Sequence, residues 1–260
     1  MSALLAYRAT GPGPLWAWTP DVLGVSLLAW WDAERPDLIT HSGGAVSSWK
    51  DIIGGYDLAQ ATGANQPTYD ATGAPRSAPC VTGNGTSQCL ELTGVPAGIP
   101  TGETPCETWL LLNDTSQEGD FSSRTQGGWG GTSAANSRRI LSNGITLPGG
   151  GLGRKFLAVQ GNGASSSTSN SDVNIRDNGW HVVRVIASST LLTVEVDGIA
   201  NTPVASTPAI ATTRMRLFAS TATVANAFHL GSIAAGLITG LQTDGQAALL
   251  RNYLSARAAP

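Results

Sequence analysis

The stretch 180–198, WHVVRVIASSTLLTVEVDG, constrains the fold more than any other part of the chain. Its first arm places Trp180, Val182, Arg184 and Ile186 on one face and His181, Val183, Val185 and Ala187 on the other. Two largely apolar faces are the pattern of an interior strand. The second arm sets Leu192, Val194 and Val196 against Thr193, Glu195 and Asp197, which predicts a half-buried strand with one wet face. Ser188, Ser189 and Thr190 make the connection. Asp197-Gly198 ends the unit with a turn dipeptide, because Gly takes positive φ without steric cost. A β-hairpin of this kind has to be built into a layered sheet.

The rest of the sequence is punctuated for all-β structure. Short apolar runs at 27–32, 46–51, 56–60, 80–82, 88–92 and 107–113 are separated by Gly and Pro clusters, and further strands are expected at 155–160, 214–219 and 228–233. Residues 114–153 read as wet loop, with only 138–141 strand-like, and the Ser-rich stretch 161–171 reads as loop. The one convincing helix is at the end, 243–258. Thr243-Asp244-Gly245-Gln246 is a capping box, and Leu249, Leu250, Tyr253 and Leu254 form an apolar stripe, with Arg251 and Arg257 facing water.

Residues 1–22 carry Pro12, Pro14 and Pro20 with Gly11 and Gly13, a composition for an extended arm. Leu15, Trp16 and Trp18 in that arm are apolar beyond what a solvated tail needs and are expected to dock on assembly partners, folding back over the sandwich being the alternative. One domain, 23–260, follows.

Composition closes off several function classes. The 260 residues include 41% hydrophobic and only 13% charged residues, with a formal net charge of -3. The apolar content excludes a disordered chain. The basic pairs Arg138-Arg139 and Arg154-Lys155 are too small for a nucleic-acid stripe. No apolar run approaches the ~18 residues of a membrane span, and the first residues lack the pattern of a signal peptide. Cys80, Cys89 and Cys106 are therefore expected as reduced thiols.

Three stretches carry a resemblance: the 180–198 hairpin with its Trp-His opening and Val-Asp-Gly close, the segment 46–69 (VSSWKDIIGGYDLAQATGANQPTY), and the strand-helix ending at 228–258. In this order they resemble the concanavalin A-like lectin/glucanase (laminin-G-like) jelly rolls of bacteriophage virion structural proteins. The resemblance implies an all-β jelly-roll β-sandwich with an extended N-terminal arm and a C-terminal helix. It also implies a non-enzymatic role on a capsid or tail, with other virion proteins as partners and the virion as location. A glycan-binding adhesin recognising host surface polysaccharide is the alternative, and a glycoside hydrolase the third reading.

The chemistry-bearing residues are few. Glucanases of this fold use a Glu-x-Asp-x-Glu strand, and the nearest match is Glu195-x-Asp197-x-Ile199, where Ile199 stands in place of the third acid. Glu195 then reads as an exposed strand residue, Asp197 as a turn residue, and no catalytic residue is expected. His181 is expected within the sheet, hydrogen-bonded to a neighbour. The loop residues Asp172, Asn174, Asp177 and Asn178 offer oxygen ligands for calcium, while ordinary turn chemistry accounts for the same residues. No other cofactor is indicated. Trp30, Trp31, Trp49, Trp109 and Trp180 read as core. Trp129, with two glycines on each side, reads as a loop indole that could contact sugar or a partner.

Overall fold

A computed structural model describes residues 19–53, 55–94, 98–101, 104–116, 124–130, 137–146, 152–161, 165–175, 177, 179–206, 214–220 and 227–259. Leu15, Trp16, Trp18 and Asn178 lie outside the described residues, and so does the assembly contact expected of the first three. The chain opens with β1 (Leu27–Asp32), β2 (Ile39–Ser42), β3 (Ala45–Trp49), β4 (Leu58–Ala59), β5 (Thr68–Ala74) and β6 (Ala78–Asn84). Next come β7 (Leu90–Thr93), β8 (Cys106–Asp114), β9 (Arg124–Gly130), β10 (Ser137–Thr146), β11 (Leu152–Gly161) and β12 (Ser166–Asn170). The last third holds β13 (Trp180–Ala187), β14 (Leu191–Val196), β15 (Ile199–Ala200), β16 (Val204–Ala205), β17 (Arg214–Leu217), β18 (Leu230–Thr239) and the helix α1 (Asp244–Ala258).

These strands form two antiparallel layers. One runs β5-β6-β18-β8-β13-β14, with β1 taking the edge of β18 beyond β6. The other runs β2-β3-β4-β7-β17-β9-β10-β11-β12. The principal core fills the space between them. Leu110 and Leu112 of β8, Val183 and Val185 of β13, and Leu192, Val194 and Val196 of β14 meet Trp129, Ile140, Phe156, Met215 and Leu217 of the opposite layer.

The hairpin predicted at 180–198 is β13 and β14, with Val183 opposite Val196, Val185 opposite Val194 and Ala187 opposite Leu192. β13 has β8 on its other side, so its two apolar faces each meet a core. Asp197 and Gly198 take φ of 52° and 86°, the positive pair that closes a two-residue hairpin between Val196 and Ile199.

The second face of the first layer is covered by α1. Ala247, Leu250 and Leu254 pack on Trp30, Trp109, Leu111, Val182 and Leu237. Each leucine buried there stabilises by about 1.5–3 kcal/mol. The capping box forms as expected: Gln246 N donates to Thr243 Oγ1 at 3.3 Å, and Thr243 N donates to Gln246 Oε1 at 3.0 Å.

Other expectations are corrected. Glu195 and Thr193 are buried instead of wet, and Arg251 of α1 reaches Glu195. Arg257 is buried against Asp32 instead of facing water, while Leu249 is exposed. The end of the expected arm is extended only at Thr19 among the described residues. Pro20–Ser26 forms a 3-10 helix that seats Leu23 and leads Leu27 into the same outer core.

Candidate functional site

The face of the second layer that points away from the core carries the chemistry best suited to a ligand. On β10, Ile140 belongs to the inter-layer core, and Arg138 and Ser142 reach across it to Cys106 and Asp114 of β8. Strand alternation puts Arg139, Leu141 and Asn143 on the opposite face. On β11, Phe156 and Ala158 are core, so Lys155, Leu157 and Val159 share that outer face. Cross-strand register then sets Arg139 beside Val159 and Thr168, Leu141 beside Leu157 and Asn170, and Asn143 beside Lys155.

Leu141, Leu157 and Val159 form a small apolar cluster of their own, retaining 6–9% exposure. Two polar groups beside it have no hydrogen-bond partner among the described residues: Arg139 Nε and Asn143 Oδ1, both buried. Burial pushes the Arg139 guanidinium below its ordinary value, yet a guanidinium stays charged in a protein. A buried polar atom in a native fold normally has a partner. These two stand on one face without a partner among the described residues.

Trp129 is corrected by the same sheet. It lies in β9, opposite Arg138 of β10 and Met215 of β17, and is 2% exposed. Its indole N–H donates to Pro100 O at 2.9 Å, and the Arg138 guanidinium lies 5.5 Å from the ring centre. The flanking glycines are there for close strand approach instead of loop freedom. A Cβ on Gly128 would fall 2.4 Å from Arg138 O, and one on Gly127 would fall 2.8 Å from Leu217 Cδ2. Trp129 is a core residue, and it offers no face to a sugar.

The other candidates are engaged within the fold. Glu195 accepts from Arg184 Nη1 at 3.1 Å and pairs with Arg251 Nη2 at 2.6 Å, and Glu107 takes two bonds from Arg184, at 2.7 and 3.1 Å. Asp197 Oδ1 accepts from Val182 N and its Oδ2 sits 2.7 Å from His181 Nδ1, while Asp177 Oδ1 sits 3.0 Å from His181 Nε2. Carboxylates only accept, so two of them about the ring favour its protonated form, in which both nitrogens donate. Burial would depress the His181 pKa, but the hydrogen bond and charge of Asp197, joined by Asp177, outweigh it and raise it. Of the proposed calcium ligands, Asn174 Oδ1 accepts from Arg154 N, Asp177 Oδ1 also accepts from Gly179 N, and Asp172 is exposed. Among the described residues no group of three or more His, Cys, Asp or Glu is placed to hold a metal.

A second polar cluster is buried inside the sandwich. Asp114 bonds Ser142, and Arg154 Nε lies 3.2 Å from Asp114 Oδ2. His229, wholly buried beside it, is held neutral, with its pKa pushed down by burial to about 4. The three cysteines are buried free thiols.

Architecture defines the class: an all-β, two-layer antiparallel sandwich with a C-terminal helix. No family model matches the chain, and no curated protein matches its sequence. Solved structures do match in fold. One is domain 4 of AbnA, a GH43 extracellular arabinanase from Geobacillus stearothermophilus, in complex with arabinotriose. Its TM-score is 0.55 and its identity 12%, over 90% of this chain and 98% of that one. Another is the CBM40 of the Ruminococcus gnavus IT-sialidase bound to α2,3 sialyllactose, with a TM-score of 0.52 and 12% identity over 70% and 96%. A GH54 α-L-arabinofuranosidase soaked with a cyclic sulfate inhibitor matches at a TM-score of 0.60 and 12% identity. There the alignment covers 89% of this chain but 59% of the other. At this identity the likeness establishes the fold alone.

Proposed function

We propose that this chain is a non-catalytic carbohydrate-binding domain that holds an oligosaccharide on the outer face of β10 and β11. The observation that carries the reading is the pair of buried, unpartnered polar atoms, Arg139 Nε and Asn143 Oδ1, beside the Leu141-Leu157-Val159 cluster. Sugars present hydroxyls that both donate and accept, so they can satisfy a guanidinium and an amide oxygen together. The apolar floor excludes water and strengthens each polar contact. Thr168, Asn170 and Lys155 on the same face supply further polar groups at its margin.

Catalysis is left out of this reading because Glu195 and Asp197, the nearest match to a glucanase acid strand, are committed elsewhere. Glu195 and Glu107 neutralise Arg184 and Arg251, and Asp197 closes a turn and bonds His181. Neutral and acidic oligosaccharides on an array provide the test. Binding is expected, and Asn143→Ala should weaken it at least tenfold with an unchanged melting temperature, whereas Leu249→Ser on exposed α1 should not. No binding to any glycan, or equal binding by Asn143→Ala, would sink the assignment.

A further inference from the structure

We propose that the ligand of this face is acidic, an oligosaccharide whose carboxylate or sulfate group is taken by Arg139. The inference rests on the carbohydrate-binding reading and adds the charge of the ligand to it.

Arg139 Nε is buried without an acceptor, and no carboxylate among the described residues pairs with its guanidinium. Arg139 is half-buried, and a guanidinium with no carboxylate beside it keeps its fork free for an anion that reaches it. The other cations on this face are arranged differently. Met215 and Leu217 point into the core, so Arg214 and Arg216 of β17 share the outer face, and both turn to Glu91 of β7, at 3.8 and 2.6 Å. The described outer positions of β7, β17, β9, β10, β11 and β12 thus hold four cations, Arg139, Lys155, Arg214 and Arg216, against one acid, Glu91.

Position narrows the role of each cation. Gly128 lies next to Arg139 across β9, and a Cβ there would sit 2.9 Å from Arg139 Cγ. The bare glycine leaves room for the Arg139 side chain to lie across the strand. A guanidinium presents a rigid fork that matches a carboxylate or sulfate through two parallel hydrogen bonds. Lys155 stands opposite Asn143, four residues along β10 from Arg139, roughly 14 Å away at ~3.4 Å per residue. A ligand of two or more sugar units can reach from one cation to the other.

Calorimetric titration of the intact protein at low salt decides the matter, with sialyllactose against lactose, an oligogalacturonide against a neutral oligosaccharide, and a sulfated disaccharide as third arm. At least one acidic ligand should bind tenfold or more tighter than its neutral counterpart, and that margin should shrink as salt is raised. The first two arms read a carboxylate and the third a sulfate. Arg139→Gln should abolish the margin and Arg139→Lys restore part of it. Lys155→Gln should weaken longer acidic ligands and tests the charge should Arg139→Gln not fold. Neutral ligands that bind as tightly as acidic ones would overturn the acidic assignment while leaving carbohydrate binding intact. Failure of every glycan to bind would overturn both.

Discussion

Arg257 and Asp32 lie 225 positions apart in the chain and meet in a buried, two-pronged ion pair, Nη2 to Oδ1 at 2.8 Å and Nη1 to Oδ2 at 3.0 Å. The pair joins the last turn of α1 to the end of β1, and Tyr253 Oη donates to the same carboxylate at 3.2 Å. Burial opposes the charge on Arg257, but Asp32, Tyr253 and Glu34 outweigh it and raise its pKa. Removing one partner of such a pair leaves a buried charge uncompensated, at a cost of about 3–5 kcal/mol. Asp32→Ala and Arg257→Ala should each lower the unfolding free energy by that order. The double variant should cost less than the sum, because no orphan charge remains. Denaturant titration of the four proteins checks this, and strict additivity would count against a direct pair.

Glu195 is the second fastening of the helix, and its substitution separates a structural carboxylate from a catalytic one. With Arg184 on one side and Arg251 on the other, Glu195→Gln loses two charge-assisted hydrogen bonds. Each such bond is worth about 1.5–3 kcal/mol, and the partly exposed Arg251 keeps its share small. A melting temperature lower by about 2–4 °C for each kcal/mol is expected for a chain of this size. The variant should retain wild-type affinity for any ligand of the outer face of the second layer. Loss of binding with no change in melting temperature would move the site to this end of β14.

His181 gives the chain a pH dependence whose sign follows from its two carboxylates. Its folded pKa is raised above the ordinary 6.5. The stabilisation is therefore complete below 6.5 and is lost as pH rises through the folded value, since the native state then binds the proton that the unfolded chain releases. Unfolding free energies measured from pH 6 to 9 should fall across that window in the wild type and stay flatter in His181→Gln. His229 acts oppositely and lower down. Its pKa near 4 means that stability is lost as pH falls from 6.5 toward 4, so the two histidines bound a maximum near 6.5. A wild-type profile that rises above pH 7 would contradict the His181 geometry.

Much of the sandwich was legible because its strands alternate, and what was missed lacked the signals that alternation provides. The β13-β14 hairpin, β1, β8 and the capped helix announce themselves through valine, leucine and tryptophan periodicity or through Thr243 and Gln246. β9, sequence RTQGGWG, read as loop because glycine is a poor strand former. Its glycines are instead fixed by neighbours, Leu217 and Arg138, that no local pattern reveals. β12, SSTSN, has no apolar residue to alternate, and only Ser169 is buried, taking a bond from Asn201 at 2.8 Å. Glu195 looked wet because Arg251, which reaches it, arrives 56 residues later. The outer face shows the same limit. Arg139, Leu141, Leu157 and Val159 fall in strand-like runs, but whether a guanidinium finds a carboxylate depends on partners from distant strands, and that is invisible along the chain.

Trp129 supplies the sharpest contrast between a sugar-contacting residue and a packing one. Its ring fills the space between the layers, its N–H is satisfied by Pro100 O, and Arg138 lies over it. Trp129→Ala should open a cavity and cost about 3–5 kcal/mol, the range for large aromatic deletions in a core. Trp129→Phe keeps most of the volume and loses the hydrogen bond to Pro100, so it should cost less, about 1–3 kcal/mol with the stranded carbonyl included. Both variants should lose melting temperature in that order, and Trp129→Phe should keep the ligand affinity of the wild type. An unchanged melting temperature in Trp129→Ala, together with lost glycan binding, would return this residue to the surface and overturn its place in the core.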